Sequence, residues 1–174
     1  DLLFLRDCGI LTSAEGKNMR ARMHGFTLIE LVVTISIVAI LAAVALPRFI
    51  SLQTQARTAK MQAIYGGVRS AAGLAHAMAV ATNATAAATV AMEGTNITQI
   101  NGYPTANAAG IVTALQLDAT NDQVTISAGG AAAGSTITID INGATVAADC
   151  RISYTAALAN ASPIIVLAAV PDCS

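Results

Sequence analysis

The chain has 174 residues, 55% of them hydrophobic and 11% charged, and its formal net charge is −1. This length favours one domain, and only one apolar run is long enough to span a bilayer, which excludes a polytopic membrane protein. From Phe26 onward, five Lys and Arg side chains face seven Asp and Glu side chains. We therefore expect no direct nucleic-acid binding, which needs a basic surface that neutralises phosphate groups.

Two segments precede the apolar run. Residues 1–18 lack an initiator Met and show no steady hydrophobic period. We expect them to be an upstream extension that is non-native or unstructured, with a genuine long leader as the alternative. Residues 19–25, MRARMHG, form a short basic leader. Because cations beside an apolar span mark its cytoplasmic side, the N-terminus is predicted to stay inside and the bulk of the chain to lie outside.

The apolar run extends from Phe26 to Leu46, about twenty-one residues, and would make a helix about 30 Å long, one hydrocarbon thickness. We predict a transmembrane helix over 26–47. A carboxylate such as Glu30 costs up to about 3 kcal/mol at a bilayer centre and less near an end, so its presence indicates a functional residue. The alternative is an ordinary secretory signal cleaved after Ala45. The length of the run and the presence of Glu30 count against it.

Pro47 is predicted to interrupt the helix, because proline lacks the backbone N–H and crowds the preceding turn. Helical periodicity resumes over 48–81. There, apolar side chains recur at three- and four-residue spacing: Met61, Ile64, Tyr65, Val68, Ala72, Ala75 and Met78. This pattern predicts an amphipathic helix whose apolar stripe packs against a sheet.

The rest of the chain shows turn and strand signals. Residues 82–123 are rich in Thr, Asn, Gly and Ala and are predicted to form an αβ-loop with short strands and a short helix at GIVTALQL. In 124–174, the sheet and disulfide region, isoleucines alternate with polar residues over 136–141, and Asn142-Gly143 predicts a tight hairpin turn. The predicted fold class is α+β: a long helix laid on an antiparallel sheet of about four strands.

The candidate chemical groups are few. Cys8 precedes the membrane run, whereas Cys150 and Cys173 fall together on the predicted oxidising side and are predicted to form a disulfide. Two free thiols are the alternative, and the spacing does not suit a zinc site. His76 has no carboxylate within a helical turn, and phosphate-loop and metalloprotease motifs are absent. We expect no enzymatic activity, no cofactor and no bound metal.

The segment GFTLIELVVTISIVAILAAVALP, residues 25–47, resembles the N-terminus of type IV pilins and of their relatives in type II secretion. The resemblance implies that a prepilin peptidase cleaves after Gly25 and N-methylates the new N-terminal residue, Phe26. Glu30 and Pro47 match the family's carboxylate and helix-breaking proline. Two interpretations of Glu30 stay open: it favours the positive end of its own helix, or it neutralises the Phe26 ammonium of an adjoining subunit and so guides assembly.

The leader and Phe26 are similar to the type IVa subgroup. NGYPTA and the terminal cysteines are similar to pilins of the mannose-sensitive haemagglutinin type, whose C-terminal disulfide-bounded segment would correspond to 150–173. Major pseudopilins of type II secretion share a Tyr-Pro-Thr stretch but usually lack the terminal disulfide. They bind calcium through an acidic loop, for which Asp118 and Asp122 are sparse candidates.

The function that the resemblance implies is structural. The chain would be the subunit of a type IV pilus, a homo-oligomeric helical fibre for adhesion, with twitching motility or DNA uptake as further expectations. It would wait in the bacterial inner membrane as a single-pass protein with a cytoplasmic N-terminus. An inner-membrane assembly platform would then build it into the extracellular fibre. The alternative is a major pseudopilin of a type II secretion system.

Overall fold

A computed structural model describes residues 25–168 and 173–174 of the chain. The predicted extension, Cys8 and all of the predicted leader except Gly25 lie outside the described residues. The chain divides into two compact units, Asp1–Leu41 and Ala42–Ser174, which are considered separately below.

Helix α1 spans Leu28–Ala81, 54 residues, with Pro47 inside it. The single long helix of the predicted fold class is confirmed, and the predicted interruption at Pro47 is corrected, because the helix continues through this position. Proline removes one backbone donor, the one that would bond the Ala43 carbonyl, and leaves the hydrogen bonds of the turns on either side available. The Ala- and Leu-rich sequence before Pro47 and the periodic sequence after it both favour helix, so one missing bond does not end it.

A three-stranded antiparallel sheet follows α1, in the order β1 (Thr89–Met92), β2 (Thr95–Ile100), β3 (Tyr103–Pro104). Both connections are two-residue turns in which each residue has a positive φ, as type I′ hairpins require. A π-helical turn at Ala108–Val112 and the short helix α2 (Thr113–Leu115) complete this region. The predicted short strands are therefore joined into a sheet, and the short helix lies within GIVTALQL.

The second sheet has four antiparallel strands, which confirms the predicted sheet of about four, and they lie in chain order. They are β4 (Val124–Ala128), β5 (Thr136–Ile141), β6 (Arg151–Thr155) and β7 (Ile164–Leu167). The register places Ile139 opposite Ile126 on one side and Ile152 on the other. The alternating isoleucine side chains therefore lie on one face of the sheet.

The predicted tight hairpin at Asn142-Gly143 is wrong. Strand β5 ends at Ile141 and β6 begins at Arg151, with a 3-10 turn at Ala147–Cys150 between them. The backbone N–H of Asn142 donates to the Gln123 carbonyl (3.0 Å), and its side-chain oxygen accepts from Thr125 Oγ1 (2.7 Å). These bonds hold Asn142 on the β4 side, so the chain returns later than the local turn signal predicts.

The core of Ala42–Ser174 lies between α1 and the four-stranded sheet, which confirms the predicted packing. Met61, Val68 and Ala72 from α1 are buried with isoleucines of β5 and β6. Tyr154 is fully buried and donates its hydroxyl to the Pro104 carbonyl (2.7 Å), which joins the two sheets. Burial raises the pKa of Tyr154, because the phenolate loses hydration.

The predicted disulfide between Cys150 and Cys173 is present, with a Cα–Cα distance of 5.0 Å. Both cysteines are fully buried in the core. The Cys173 carbonyl accepts a hydrogen bond from Arg57 Nη1 (3.1 Å), and the Ser174 carbonyl accepts one from the Thr145 N–H (2.5 Å). The C-terminus is therefore held against both α1 and the β5–β6 connection.

Candidate functional site

Thr27 fixes the start of α1 through two hydrogen bonds that it accepts. Residues 25–27 are not helical, and α1 begins at Leu28. The hydroxyl oxygen of Thr27 accepts a hydrogen bond from the Glu30 backbone N–H (3.2 Å), and its carbonyl accepts the first helical bond, from the Leu31 N–H (3.2 Å). Thr27 is thus the N-cap of the helix.

The role of Thr27 was missed from the sequence, although a signal for it is present. Thr27-Leu28-Ile29-Glu30 matches the pattern Ser/Thr-x-x-Glu/Gln that starts many helices. In the full motif, the Glu side chain also bonds back to the backbone N–H of the N-cap residue. Only the Thr27 half of the motif is formed among the described residues.

The carboxylate of Glu30 is exposed in the first turn of α1. This position favours a negative charge, because the helix start carries a partial positive charge. Among the described residues, however, no hydrogen bond or ion pair reaches the Glu30 carboxylate. Its electrostatic environment is favourable, and its hydrogen-bonding capacity is unused.

The surface around Glu30 is apolar. Helix α1 is long and apolar enough to cross a membrane. Within the described part of the unit Asp1–Leu41, residues 25–41, the exposed large hydrophobic side chains are Phe26, Leu28, Ile29, Leu31, Val32, Val33, Ile35, Ile37, Val38, Ile40 and Leu41. Their exposed fractions, from 46% to 80%, are those of a surface that lipid or other protein chains cover.

The loop before β4 is closed by its own carboxylates. Asp118 Oδ1 accepts from the backbone N–H groups of Thr120 (2.8 Å) and Asn121 (2.9 Å), and Asp122 Oδ2 accepts from the Asp118 N–H (2.9 Å). The hydrogen bonds from Asn121 and Thr120 lower the pKa of Asp118, because they stabilise its charged form. Within the described part of the chain, no three His, Cys, Asp or Glu side chains are grouped so as to hold a metal ion.

His76 is packed against the ring of Tyr103. Its ring stacks on Tyr103 with centroids 4.1 Å apart and planes at 4°. Its Nδ1 lies 2.9 Å from the Gly102 carbonyl oxygen, so this nitrogen carries the proton that is donated. His76 therefore joins α1 to the β2–β3 turn.

Comparison with known proteins supports the resemblance at the N-terminus. Residues 20–46 match the family model described as the prokaryotic N-terminal methylation motif. Over 54 residues the chain is 50% identical to the "Type IV narrow pilus major component PilA5" of Thermus thermophilus. The match covers 31% of this chain and 47% of that relative, so the chain spans about half the length of the curated relative. No solved structure gives a significant match.

The methylation motif contains Gly25, Phe26, Thr27 and Glu30, the residues around which the start of α1 is built. The resemblance that residues 25–47 show to type IV pilins is thereby confirmed. The assignment to the type IVa subgroup and to the haemagglutinin type stays a prediction. The N-terminal segment of this chain, residues 20–46, is a type IV pilin signal.

Proposed function

We propose that the chain is the structural subunit of a type IV pilus and polymerises into a helical surface fibre. The observation that carries this proposal is the exposed apolar surface of Phe26–Leu41, together with the pilin signal that covers it. Before assembly, lipid covers this surface in the inner membrane, with the N-terminus in the cytoplasm. In the fibre, the equivalent helices of neighbouring copies cover it.

Processing precedes assembly in this proposal. A prepilin peptidase hydrolyses the Gly25–Phe26 bond, and the same enzyme then methylates the amino group of Phe26. The position of the bond supports this step, because Gly25 and Phe26 are exposed and lie outside the helix. The product carries an ammonium group at Phe26, four residues before the Glu30 carboxylate.

Glu30 then pairs with the Phe26 ammonium of an adjoining subunit. Lipid tails are as apolar as the side chains of α1, so moving the helix from lipid into a fibre gains packing and charge pairing but little hydrophobic free energy. A charge left unpaired in that core is costly, and breaking a buried pair costs about 3–5 kcal/mol. The unused hydrogen-bonding capacity of the Glu30 carboxylate supports pairing with another chain.

The partners are therefore other copies of the chain, the prepilin peptidase and an inner-membrane assembly platform. After extraction from the membrane, the apolar helices form the fibre core, and the heads, residues 48–174, form its outer shell. We further propose that the extracellular fibre serves adhesion, and that twitching motility or DNA uptake would use the same fibre.

Electron microscopy of a deletion strain tests the function. Surface fibres should vanish on deletion and return when the full chain is supplied in trans, and sequencing of the purified fibre protein should begin at Phe26. A strain that keeps its fibres but fails to release proteins through type II secretion would instead support the major-pseudopilin alternative.

A further inference from the structure

The Gly25–Phe26 bond lies next to a backbone boundary. Residues 25–27 are outside the helix, and Leu28 is its first residue. Among the described residues, no hydrogen bond reaches the Gly25 carbonyl oxygen. The Thr27 hydroxyl, through its bond to the Glu30 N–H, is the side-chain contact that marks this boundary.

We infer that Thr27 is a positioning residue for the cleavage step: its hydroxyl holds the start of α1 at Leu28 and so keeps the Gly25–Phe26 peptide bond outside the helix. This inference rests on the processing proposed above. It concerns where the helix begins, whereas the cleavage position itself comes from the pilin signal.

The chemistry explains why the boundary matters. In hydrolysis, the oxygen of a water molecule adds to the carbonyl carbon of Gly25. The C–N bond then breaks, and the nitrogen of Phe26 takes up both protons of that water molecule, which leaves a Gly25 carboxylate and a Phe26 ammonium. A peptidase must bring the water to one face of that carbonyl and contact its oxygen. A carbonyl inside a helix instead accepts the N–H four residues later and is enclosed by the following turn.

The side chain at position 27 decides between two helix starts. Thr accepts the N–H of Glu30 and is a favourable N-cap, whereas Ala and Val cannot accept it. Without that cap, the next favourable N-cap residue upstream is Gly25, since Phe is a poor one. The helix would then begin at Phe26, and the Gly25 carbonyl would accept the N–H of Ile29. The bond to be cleaved would become part of the first helical turn.

In the observed conformation, a Cβ built at Gly25 would meet no atom within 4 Å. Among the described residues, the hydrogen bond of the Thr27 cap is thus the side-chain contact that holds the helix start, and none of them packs against Gly25. Loss of an N-cap costs about 0.5–2 kcal/mol. At about 1.4 kcal/mol per tenfold, this corresponds to about two- to thirtyfold slower cleavage.

The test uses the full-length precursor and detergent-solubilised prepilin peptidase, and measures the cleavage rate by mass spectrometry. Thr27→Ser, Thr27→Asn and Thr27→Asp keep a capping acceptor and should be cleaved at close to the wild-type rate. Thr27→Val keeps the shape of threonine without the acceptor, and it should be slowed by about two- to thirtyfold, as should Thr27→Ala. Thr34→Val makes the same chemical change farther along α1, where the hydroxyl donates to the Leu31 carbonyl, and should be cleaved normally.

Backbone NMR shifts of the same variants in micelles provide a second readout. Phe26 should be helical in Thr27→Val and non-helical in the wild type and in Thr27→Asn. The inference is overturned if the rates follow similarity of shape to threonine, with Val fast and Asn and Asp slow, because the peptidase would then recognise the side chain directly. It is also overturned if Phe26 is non-helical in every variant.

The two proposals fail in different ways. A wild-type precursor that is not cut between Gly25 and Phe26 overturns the proposed function, and it removes the step that Thr27 is inferred to assist. A wild-type precursor cut at that bond, with cleavage rates that ignore capping ability, overturns only the role of Thr27.

Discussion

Three carboxylates show how surroundings decide the role of a residue. Asp118 accepts hydrogen bonds from Thr120 and Asn121 within its own loop. Asp140 is buried and pairs bidentately with Arg151, with an Nε–Oδ1 distance of 2.6 Å, and this pair raises the pKa of the arginine. Glu30 has no such partner among the described residues. The first two side chains therefore stabilise Ala42–Ser174, whereas Glu30 remains available to another chain.

We predict that Glu30→Ala leaves membrane insertion and folding of Ala42–Ser174 intact but sharply reduces fibres, with monomers retained in the inner membrane. The reason is the unpaired Phe26 ammonium, which opposes burial in an apolar core. Counting fibres by electron microscopy and measuring the membrane pool by immunoblot would show this. Glu30→Gln is the matched control for shape, and it should behave like Glu30→Ala because it also lacks the charge. Normal fibre numbers in both variants would leave only the role at the helix start.

We predict that the Asp118 carboxylate makes the stability of the folded chain depend on pH. Because its folded-state pKa is lowered below the ordinary value of 3.8, its contribution is complete above that value and is lost as pH falls through the lowered pKa. Asp118→Asn should therefore lose stability near neutral pH and show a shallower decline than the wild type below about pH 4. Chemical denaturation midpoints measured across pH would reveal the difference. Asp149→Asn, which changes an exposed carboxylate without a hydrogen-bond partner among the described residues, is the matched control for the loss of one negative charge.

At the scale of elements, long-range contacts complete what local patterns begin. The fully buried side chains of Cys150, Ile152 and Tyr154 lie where the 3-10 turn runs into β6, and they face the core. The disulfide and the bond from Arg57 to the Cys173 carbonyl then tie the C-terminus to this core. A loop with a sequence separation of 23 residues is thereby closed on the sheet.

Removing this disulfide should be costly. In the chain-entropy model, closing a loop of this length stabilises the fold by about 3–3.5 kcal/mol. This is a large share of the free energy of unfolding of a typical domain, about 5–15 kcal/mol. Cys150→Ser should lower the unfolding midpoint, raise protease sensitivity and reduce fibre yield. Thermal unfolding of the wild type with and without reductant offers a control that needs no substitution. Mass spectrometry that finds both thiols free in assembled fibres would contradict the prediction.

At the scale of the whole molecule, the chain combines a pilin signal, an apolar helical surface and a folded α+β unit. The exposed apolar side chains of Phe26–Leu41 suit lipid or neighbouring copies, whereas Ala42–Ser174 has its own core and disulfide. These features fit a subunit that is stored in a membrane and then assembled. Processing at Gly25 is the step that would convert one state to the other.

We predict that replacing Gly25 with a bulky residue, such as Gly25→Leu, traps a longer precursor in the membrane. The free space around Gly25 means that the new side chain should not disturb the described structure. A block would therefore reflect the fit of the side chain to the peptidase. Immunoblots of membrane fractions would show the longer species, and Gly73→Leu, at an open position of α1, provides the control. An N-terminus at Leu46 in the mature wild-type protein would indicate an ordinary signal peptidase and contradict the pilin proposal.

The amino-acid sequence by itself determined the features that depend on local pattern. The apolar run predicted a helix of membrane-spanning length, and the spacing from Met61 to Met78 predicted the face that packs on a sheet. The alternation of Ile137, Ile139 and Ile141 predicted a strand, and residues 25–47 predicted the pilin signal. Each of these signals lies within a few helical turns or one strand, where side-chain periodicity is sufficient evidence.

Only the tertiary structure decided the features that depend on distant partners. Asn142, just after β5, stays beside β4 and does not start a tight hairpin, because it is hydrogen-bonded to Gln123 and Thr125. The short strands after α1 become a sheet because they pair with one another. The packing of His76 on Tyr103 likewise needs residues 27 positions apart. Such contacts depend on the register in which strands pair and on how closely residues distant in sequence pack together. Local periodicity encodes neither.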